Sequence, residues 1–408
     1  MRILLCTMWA IPHVGGVWHY MLQLKQHLEA MGHQVDVMGN SPDNSKLHMP
    51  GRQKELAKDA LRPLLAAKLN ETTAPWLHRA VYARYYELER YYLELAAAYF
   101  GLEEYDLIHT HDVFSSRAIS RVKPARTAHV AHLHGSVAVE LHMHFRLNPQ
   151  LGITEGSPDW QYFQSMEHYG AVSSDVTITA NEWQKRMLVK SHGVAESRIT
   201  VFPYGLDTAA FQRKAEAGTA LVRPSGKKVI ICPARLTFVK GIDILLAALA
   251  ILKPIRQDWV CWIVGDGEQR AELERLTFKL GLQHETFFLG QRSDVAGLLK
   301  QSDVFVHACK QDNQPFSVME SQIAGVPPIV SSAGGLPEMV EHGRTGLICP
   351  VQDPNTLASQ IALLLDNDAY RRQLGEQAQA WGMSHWSMDR MIGRLLDVYH
   401  AAAAARAT

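Results

Sequence analysis

The chain has 408 residues, 47% of them hydrophobic and 20% charged, and its Lys and Arg balance its Asp and Glu at 41 each. That length suits two domains with their own cores, and a formal net charge of zero gives no electrostatic case for nucleic acid as a partner. No uncharged apolar run reaches the ~18 residues needed to span a bilayer, and five scattered cysteines (Cys6, Cys232, Cys261, Cys309, Cys349) without C-x-x-C or zinc spacing read as core thiols of a reducing, cytoplasmic compartment.

The first apolar run, residues 2–9, superficially suggests a signal peptide. It passes instead into His13-Val14-Gly15-Gly16 and an amphipathic helix from Trp18 to Met31, as a buried first strand would. Residues 33–38 complete a βαβ unit whose glycine turn lies at the carboxyl end of the first strand, the edge where open α/β sheets bind ligands. The segment Trp76–Phe100 interleaves six tyrosines with Arg79, Arg84 and Arg90. A membrane-surface helix is one reading, but Glu87, Glu89 and Glu94 break the basic face, and aromatics at helical spacing favour a core.

His109 with His111, and His132 with His134, sit two apart at strand ends and so share a face; His142 and His144 repeat the spacing. No H-E-x-x-H or cysteine accompanies them, so hydrogen bonding is expected rather than a metal, with His134 before Gly135 the best placed. Further βα alternation runs to residue 202.

The polar stretch Arg213–Lys228 reads as a linker. Beyond it, strand Val229–Cys232 opens onto Arg235 and Lys240-Gly241 before the helix Ile242–Leu252, a spacing of cations and helix start that suits a diphosphate. Strand Trp259–Val264 ends in Gly265-Asp266-Gly267, too little for a dinucleotide fingerprint. In Gln311–Glu338, Asp312 stands in a loop broken by Asn313-Gln314-Pro315, and Glu320 stands on the helix from Phe316, eight residues later. Both acids can face one site beside that helix N-terminus. The last ~45 residues read as helical, with the alanine-rich tail 401–408 frayed.

In this order, Gly15-Gly16, Arg235-Leu236 with Lys240-Gly241, Gly265-Asp266-Gly267, Asp312 with Glu320, Gly334-Gly335-Leu336-Pro337-Glu338 and Gly343-Arg344-Thr345-Gly346 resemble the retaining glycosyltransferases of family 4 over almost the whole chain. The resemblance implies an α/β, GT-B fold: two Rossmann-like domains facing each other across a deep cleft. These would be residues 1–208, joined by a C-terminal helix 386–405, and residues 209–385. It further implies that Asp312 holds the donor sugar's hydroxyls, Glu320 the ribose diol, and Arg235 and Lys240 the diphosphate. His134 would contact the donor near the reacting sugar and Gly16, with Gly15, would meet the phosphate. Gly265, Gly267, Gln291, Arg292, Asn313, Gln314, Phe316 and Ser317 would complete the donor site.

The expected activity is transfer of a hexosyl or N-acetylhexosaminyl group from a UDP-sugar, or alternatively a GDP-sugar, to an acceptor hydroxyl, with no cofactor or metal. A GT-B sugar-nucleotide epimerase or a non-catalytic nucleotide-sugar-binding protein are the rival readings. Acceptor contacts are expected from the first domain, with peripheral membrane contact open. Three residues depart from the family pattern: Asp312 where a glutamate is usual, Pro315 where many relatives have glycine, and Tyr204 where asparagine is common. Asp366-Asn367-Asp368 has the form of a metal triplet but reads as a helix end.

Overall fold

The computed structural model describes residues 1–13 and 15–407, so Val14 of the first glycine turn and Thr408 of the tail lie outside the described residues. The chain divides into two compact units, Met1–Phe202 with Ile392–Thr408, and Pro203–Met391. The division falls before the expected 208/209 because the Pro203–Asp207 turn is tied into the second unit. There the Tyr204 amide donates to Gln314 Oε1 (3.1 Å) and the Leu206 amide to the Trp386 carbonyl (2.8 Å).

The first unit carries β1 (Arg2–Ala10), β2 (Gln34–Asn40), β3 (Lys46–Met49), β4 (Lys54–Ala57), β5 (Leu107–Thr110), β6 (Ala128–Leu133), β7 (Val176–Thr179) and β8 (Ile199–Val201). They form one sheet in the order β4-β3-β2-β1-β5-β6-β7-β8. It is parallel from β2 to β8, and β3 and β4 add an antiparallel edge. β1 reads as a continuous apolar run because helices cover both faces of a parallel sheet; Ile3, Leu4, Leu5 and Cys6 are fully buried. The β3–β4 hairpin has no counterpart in the sequence reading: four-residue strands with Lys46, His48, Lys54 and Glu55 show too short a period.

The helix Val81–Phe100 buries Ala83, Tyr92, Leu93, Ala96, Ala97 and Phe100 in the core, and Tyr86 stacks on Phe114 at 5.1 Å. Its buried Arg90 is held by Glu94 (2.5 Å) and Glu87 (2.7 Å), which explains acids on a basic face. Two expectations fail. His142 and His144 lie on the helix Val137–Leu147, where residues two apart face different ways; His142 stacks on Trp160 at 3.7 Å, while His144 meets Tyr82. The alanine tail is not frayed but continues the helix Met388–Ala407, because Ala402 is buried and Arg406 pairs with Asp175.

Helices Val113–Val122 and Pro158–Val172 cross so closely that a Cβ on Gly170 would lie 2.4 Å from that of Val113. Gly170→Ala should therefore destabilise the protein by about 1–3 kcal/mol, read as a lower denaturation midpoint.

The second unit holds β9 (Lys228–Pro233), β10 (Trp259–Val264), β11 (Thr286–Phe288), β12 (Val304–His307), β13 (Pro328–Ser331) and β14 (Leu347–Cys349). All are parallel, in the order β11-β10-β9-β12-β13-β14. This is the doubly wound arrangement whose order reverses between β9 and β12. The expected linker is corrected in its first part: Thr208–Ala217 is a helix capped by Asp207, packing at Gly218 against Gly297. Asp366-Asn367-Asp368 joins two helices, with Asn367 capping Tyr370 and Asp368 paired to Lys228 and Arg371.

Candidate active site

The loops after β9 and β12 leave the second sheet side by side at its switch point, and they interlock. The Lys310 amide donates to the Val239 carbonyl (2.7 Å), and a Cβ on Gly241 (φ +64) would meet the Ala308 carbonyl oxygen at 2.1 Å. Lys240 is thereby set beside Asp312, with Nζ 2.6 Å from Oδ2. His307, at the end of β12, donates from Nε2 to the same oxygen (2.7 Å), and the Asn313 amide donates to Oδ1 (3.0 Å).

Burial opposes the Asp312 charge, but Lys240 and the His307 contact outweigh it and hold the carboxyl well below the usual range. Burial likewise pulls the Lys240 ammonium down, and Asp312 more than reverses this. Arg235 is exposed, and close enough to Lys240 for the two cations to repel. Asp312 thus spends both oxygens within the protein, as the anchor of Lys240 and of its own loop.

Glu320 differs. It sits on the helix Phe316–Ile323, partly buried, and among the described residues no hydrogen bond to its carboxyl accompanies it. Burial pushes that carboxyl up to about 7, with Lys214 pulling weakly the other way. The helix begins at Pro315, which has no side-chain cap to offer, and the helix Ile242–Leu252 begins uncapped at Gly241. Ser317 is partly exposed in the first turn.

Other expected donor residues have structural partners. Gln314 accepts the Tyr204 amide, and Phe316 stacks on the Tyr204 ring at 5.7 Å, which gives that departure from the family pattern a packing role. Gly265 and Gly267 allow close approach to the Ala234 and Leu236 carbonyls (a Cβ would come to 2.0 and 2.5 Å). Arg292 is paired with Asp294 (2.5 Å), while Gln291 is exposed. His307 and Lys310, which sits 3.4 Å over the Phe238 ring and pairs with Asp243 (2.9 Å), were not singled out in the sequence. A histidine ending a strand and a lysine beginning a loop carry no local signal of either partner.

His307, Cys309 and Asp312 also bring three possible metal ligands within 4.8 Å. Their chemistry suits a metal centre poorly, because Asp312 is already paired with the Lys240 ammonium at 2.6 Å.

In the first unit, Gly15 precedes the helix Gly16–Ala30, whose start has neither a side-chain cap nor an acidic residue in its first turn. His134 follows β6, partly exposed, with Nε2 3.0 Å from His111 Nδ1; burial pulls its imidazole down to about 3. The turn after it is pinned by Gln184 Nε2 on the Gly135 carbonyl (3.0 Å) and by Ser136 and the Ala138 amide on buried Glu167 (2.8 and 3.0 Å).

Comparison with known proteins agrees with this architecture. Residues 14–210 match the family described as Glycosyltransferase Family 4, and residues 214–381 the family described as Glycosyl transferases group 1. An uncharacterized glycosyltransferase of Methanocaldococcus jannaschii is 24% identical over 98% of both chains. A GDP-mannose-dependent α-(1-6)-phosphatidylinositol monomannoside mannosyltransferase of Mycobacterium tuberculosis is 28% identical over 57% of this chain, which spans 63% of that enzyme's length. Among solved structures, sucrose-phosphate synthase from Thermosynechococcus elongatus superposes over 99% of both chains with a TM-score of 0.74 at 20% identity. The Anabaena protein HepE, crystallised with UDP-glucose, covers 98% of this chain and is itself covered completely, with a TM-score of 0.67 at 19% identity. The chain belongs to the family 4 glycosyltransferases and has the GT-B fold.

Proposed function

We propose that this glycosyltransferase moves a hexosyl or N-acetylhexosaminyl group from a UDP-sugar to an acceptor hydroxyl with retention, and without a metal. The observation that carries the donor site is Glu320: a partly buried carboxylate that accepts no hydrogen bond among the described residues, one loop from the Lys240–Asp312 pair. A ribose diol, with two donors and no charge, is a fitting partner for it. Lys240 and Arg235 balance the diphosphate electrostatically in the role a metal ion would otherwise take. The bond from the anomeric carbon to the β-phosphate oxygen breaks, the acceptor oxygen bonds to that carbon on the same face, and the acceptor's proton passes to the departing phosphate. A UDP-sugar is chosen because a fold neighbour binds UDP-glucose, and the GDP-mannose-dependent relative makes the GDP-sugar the alternative.

A thermal-shift panel of UDP- and GDP-sugars tests the donor, since a ligand at 100 times its Kd stabilises by about 2.7 kcal/mol. Unchanged turnover in EDTA, with product of retained anomeric configuration by NMR, is expected; turnover that needs an added divalent cation would refute the metal-free reading.

Glu320 supplies a pH test. Its folded value, about 7, lies above the ordinary 4.5, so ionising it costs stability increasingly from pH 4.5 up to 7 and by a constant amount above. Glu320→Gln should therefore leave stability unchanged at pH 4 and raise it by up to about 3 kcal/mol at pH 8. Affinity for UDP-glucose, whose diphosphate does not titrate here, should rise in the wild type between pH 6 and 8 and stay flat in Glu320→Gln, by isothermal titration calorimetry.

A further inference from the structure

Within the second unit, one further side chain reaches the Lys240–Asp312 pair: His307, the last residue of β12. β12 lies between β9 and β13 in the parallel sheet, with His307 beside Val330. Its ring is 2% exposed and stacks on that of Phe305, 6.3 Å away with planes 13° apart, since residues two apart on a strand share a face. The sheet thus holds a rigid imidazole against the loop that carries Asp312.

Lys240 Nζ (2.6 Å) and His307 Nε2 (2.7 Å) share Asp312 Oδ2, and the Asn313 amide takes Oδ1 (3.0 Å). A carboxyl that faces an ammonium and an amide at its two oxygens is ionised and only accepts, so His307 must carry a proton on Nε2. The other ring nitrogen, Nδ1, is buried and has no hydrogen-bond partner among the described residues. A proton there would be an orphan donor in the core, whereas a bare Nδ1 leaves only a lone pair unused. Buried orphan N–H groups are rarer and costlier than under-used acceptors. Among the described residues, Asp312 is also the one hydrogen-bond acceptor of the Lys240 ammonium. Whatever fixes that carboxylate therefore fixes the cation.

We propose that His307 is a positioning residue which, as the neutral Nε2–H tautomer, pins Asp312 Oδ2 and through it holds the Lys240 ammonium in place. A second cation at that oxygen would repel Lys240 and compete for the carboxylate; a neutral donor shares it and leaves the pair balanced. In the glycosyl transfer proposed above, on which this consequence rests, His307 acts on the donor diphosphate only through Lys240.

The tautomer is read by long-range 1H–15N correlation on the full chain labelled with 15N-histidine, His307 being assigned from the His307→Gln spectrum. The expected result is a protonated Nε2 and a bare Nδ1; a proton on Nδ1, alone or with one on Nε2, would overturn the proposal. The placement of Lys240 is read without any ligand, from its ammonium signal in the 15N-lysine-labelled chain, assigned with Lys240→Ala. His307→Gln keeps an N–H near the Nε2 position and should retain that signal, whereas His307→Leu should lose it to solvent exchange. A signal unchanged in His307→Leu would equally overturn the proposal. UDP-glucose affinity should follow: within about threefold of wild type for the Gln variant and about tenfold weaker for Leu, the scale of one hydrogen bond to a charged group. In a Lys240→Ala background, His307→Leu should cost no further affinity. Equal losses for the Gln and Leu variants, or an independent loss in the double variant, would reduce His307 to a packing residue. If wild type binds no UDP-glucose, the donor reading fails while the two spectra still decide the role of His307.

Discussion

Lys240→Ala is expected to lower kcat/KM by about 10²–10³, the scale seen when one preorganised electrostatic donor is removed from a reacting centre. Lys240 is proposed to meet charge on the departing diphosphate, and the variant leaves the Asp312 carboxylate facing that charge instead. Stability should fall too. Both side chains of the pair are only 14% exposed, and breaking such a pair from one side strands a charge. His307 still donates to Asp312, so a loss of about 2 kcal/mol, below the 3–5 of a fully isolated charge, is the expectation.

The double variant Lys240→Ala/Asp312→Asn separates the two effects, because the stranded charge is gone but the cation is still missing. Thermal denaturation should show most of the stability recovered, while donor turnover stays low; recovery of turnover would assign Lys240 a purely structural role. The pH dependence has a definite sign. Asp312 has a depressed folded value, so its contribution is complete above the ordinary carboxylate range and is lost only as pH falls toward that lower value. The stability gap between wild type and Lys240→Ala should therefore persist from pH 5 to 8 and close in strong acid.

Gly334→Ala should be strongly destabilising and should disturb the site through Asp312. Gly334 has φ +55, and a Cβ there would lie 1.9 Å from the Asp312 carbonyl oxygen, which also accepts the Gly335 amide (3.1 Å). The left-handed backbone alone costs an alanine about 1–2 kcal/mol. Forcing the Asp312 carbonyl away adds a further ~1–3 kcal/mol and moves the anchor of Lys240. Gly343→Ala is the matched control: its φ is +78, but its nearest neighbour is the Tyr370 hydroxyl at 3.9 Å. Both variants should lower the denaturation midpoint, Gly334→Ala by at least twice as much, and only Gly334→Ala should reduce turnover. Equal midpoint shifts would mean that the close approach to Asp312 carries no energetic weight.

Much of this was legible in the chain itself. Helix Ile242–Leu252 and strands Trp259–Val264 and Pro328–Ser331 have the bounds that their apolar runs and flanking glycines, prolines and polar residues imply. Buried parallel strands are long in apolar residues and short in alternatives. The hairpin β3–β4 and the helix Thr208–Ala217 escaped because both are polar outside a few buried positions, Leu47 and Met49 in one and Phe211 and Ala215 in the other. There the burial pattern depends on what packs against the segment.

The site divides along the same line. Local spacing placed Lys240 where a helix starts, Asp312 in a loop and Glu320 on the helix that follows, because helix starts and chain breakers are written in adjacent residues. Which of these groups would be spent on one another was a matter of tertiary structure. The switch point brings β9 and β12 together across ~70 residues of sequence, so Lys240 and His307 converge on Asp312 while Glu320, among the described residues, accepts no hydrogen bond at its carboxyl. The histidines follow suit: period-two spacing put each pair on one face of a strand, but only the parallel register of β5 and β6 set His111 against His134. Sequence alone determines which chemical groups stand at the carboxyl ends of the strands; the sheet order and register determine which of them meet, because hydrogen-bonded neighbours in a parallel sheet are distant in the chain.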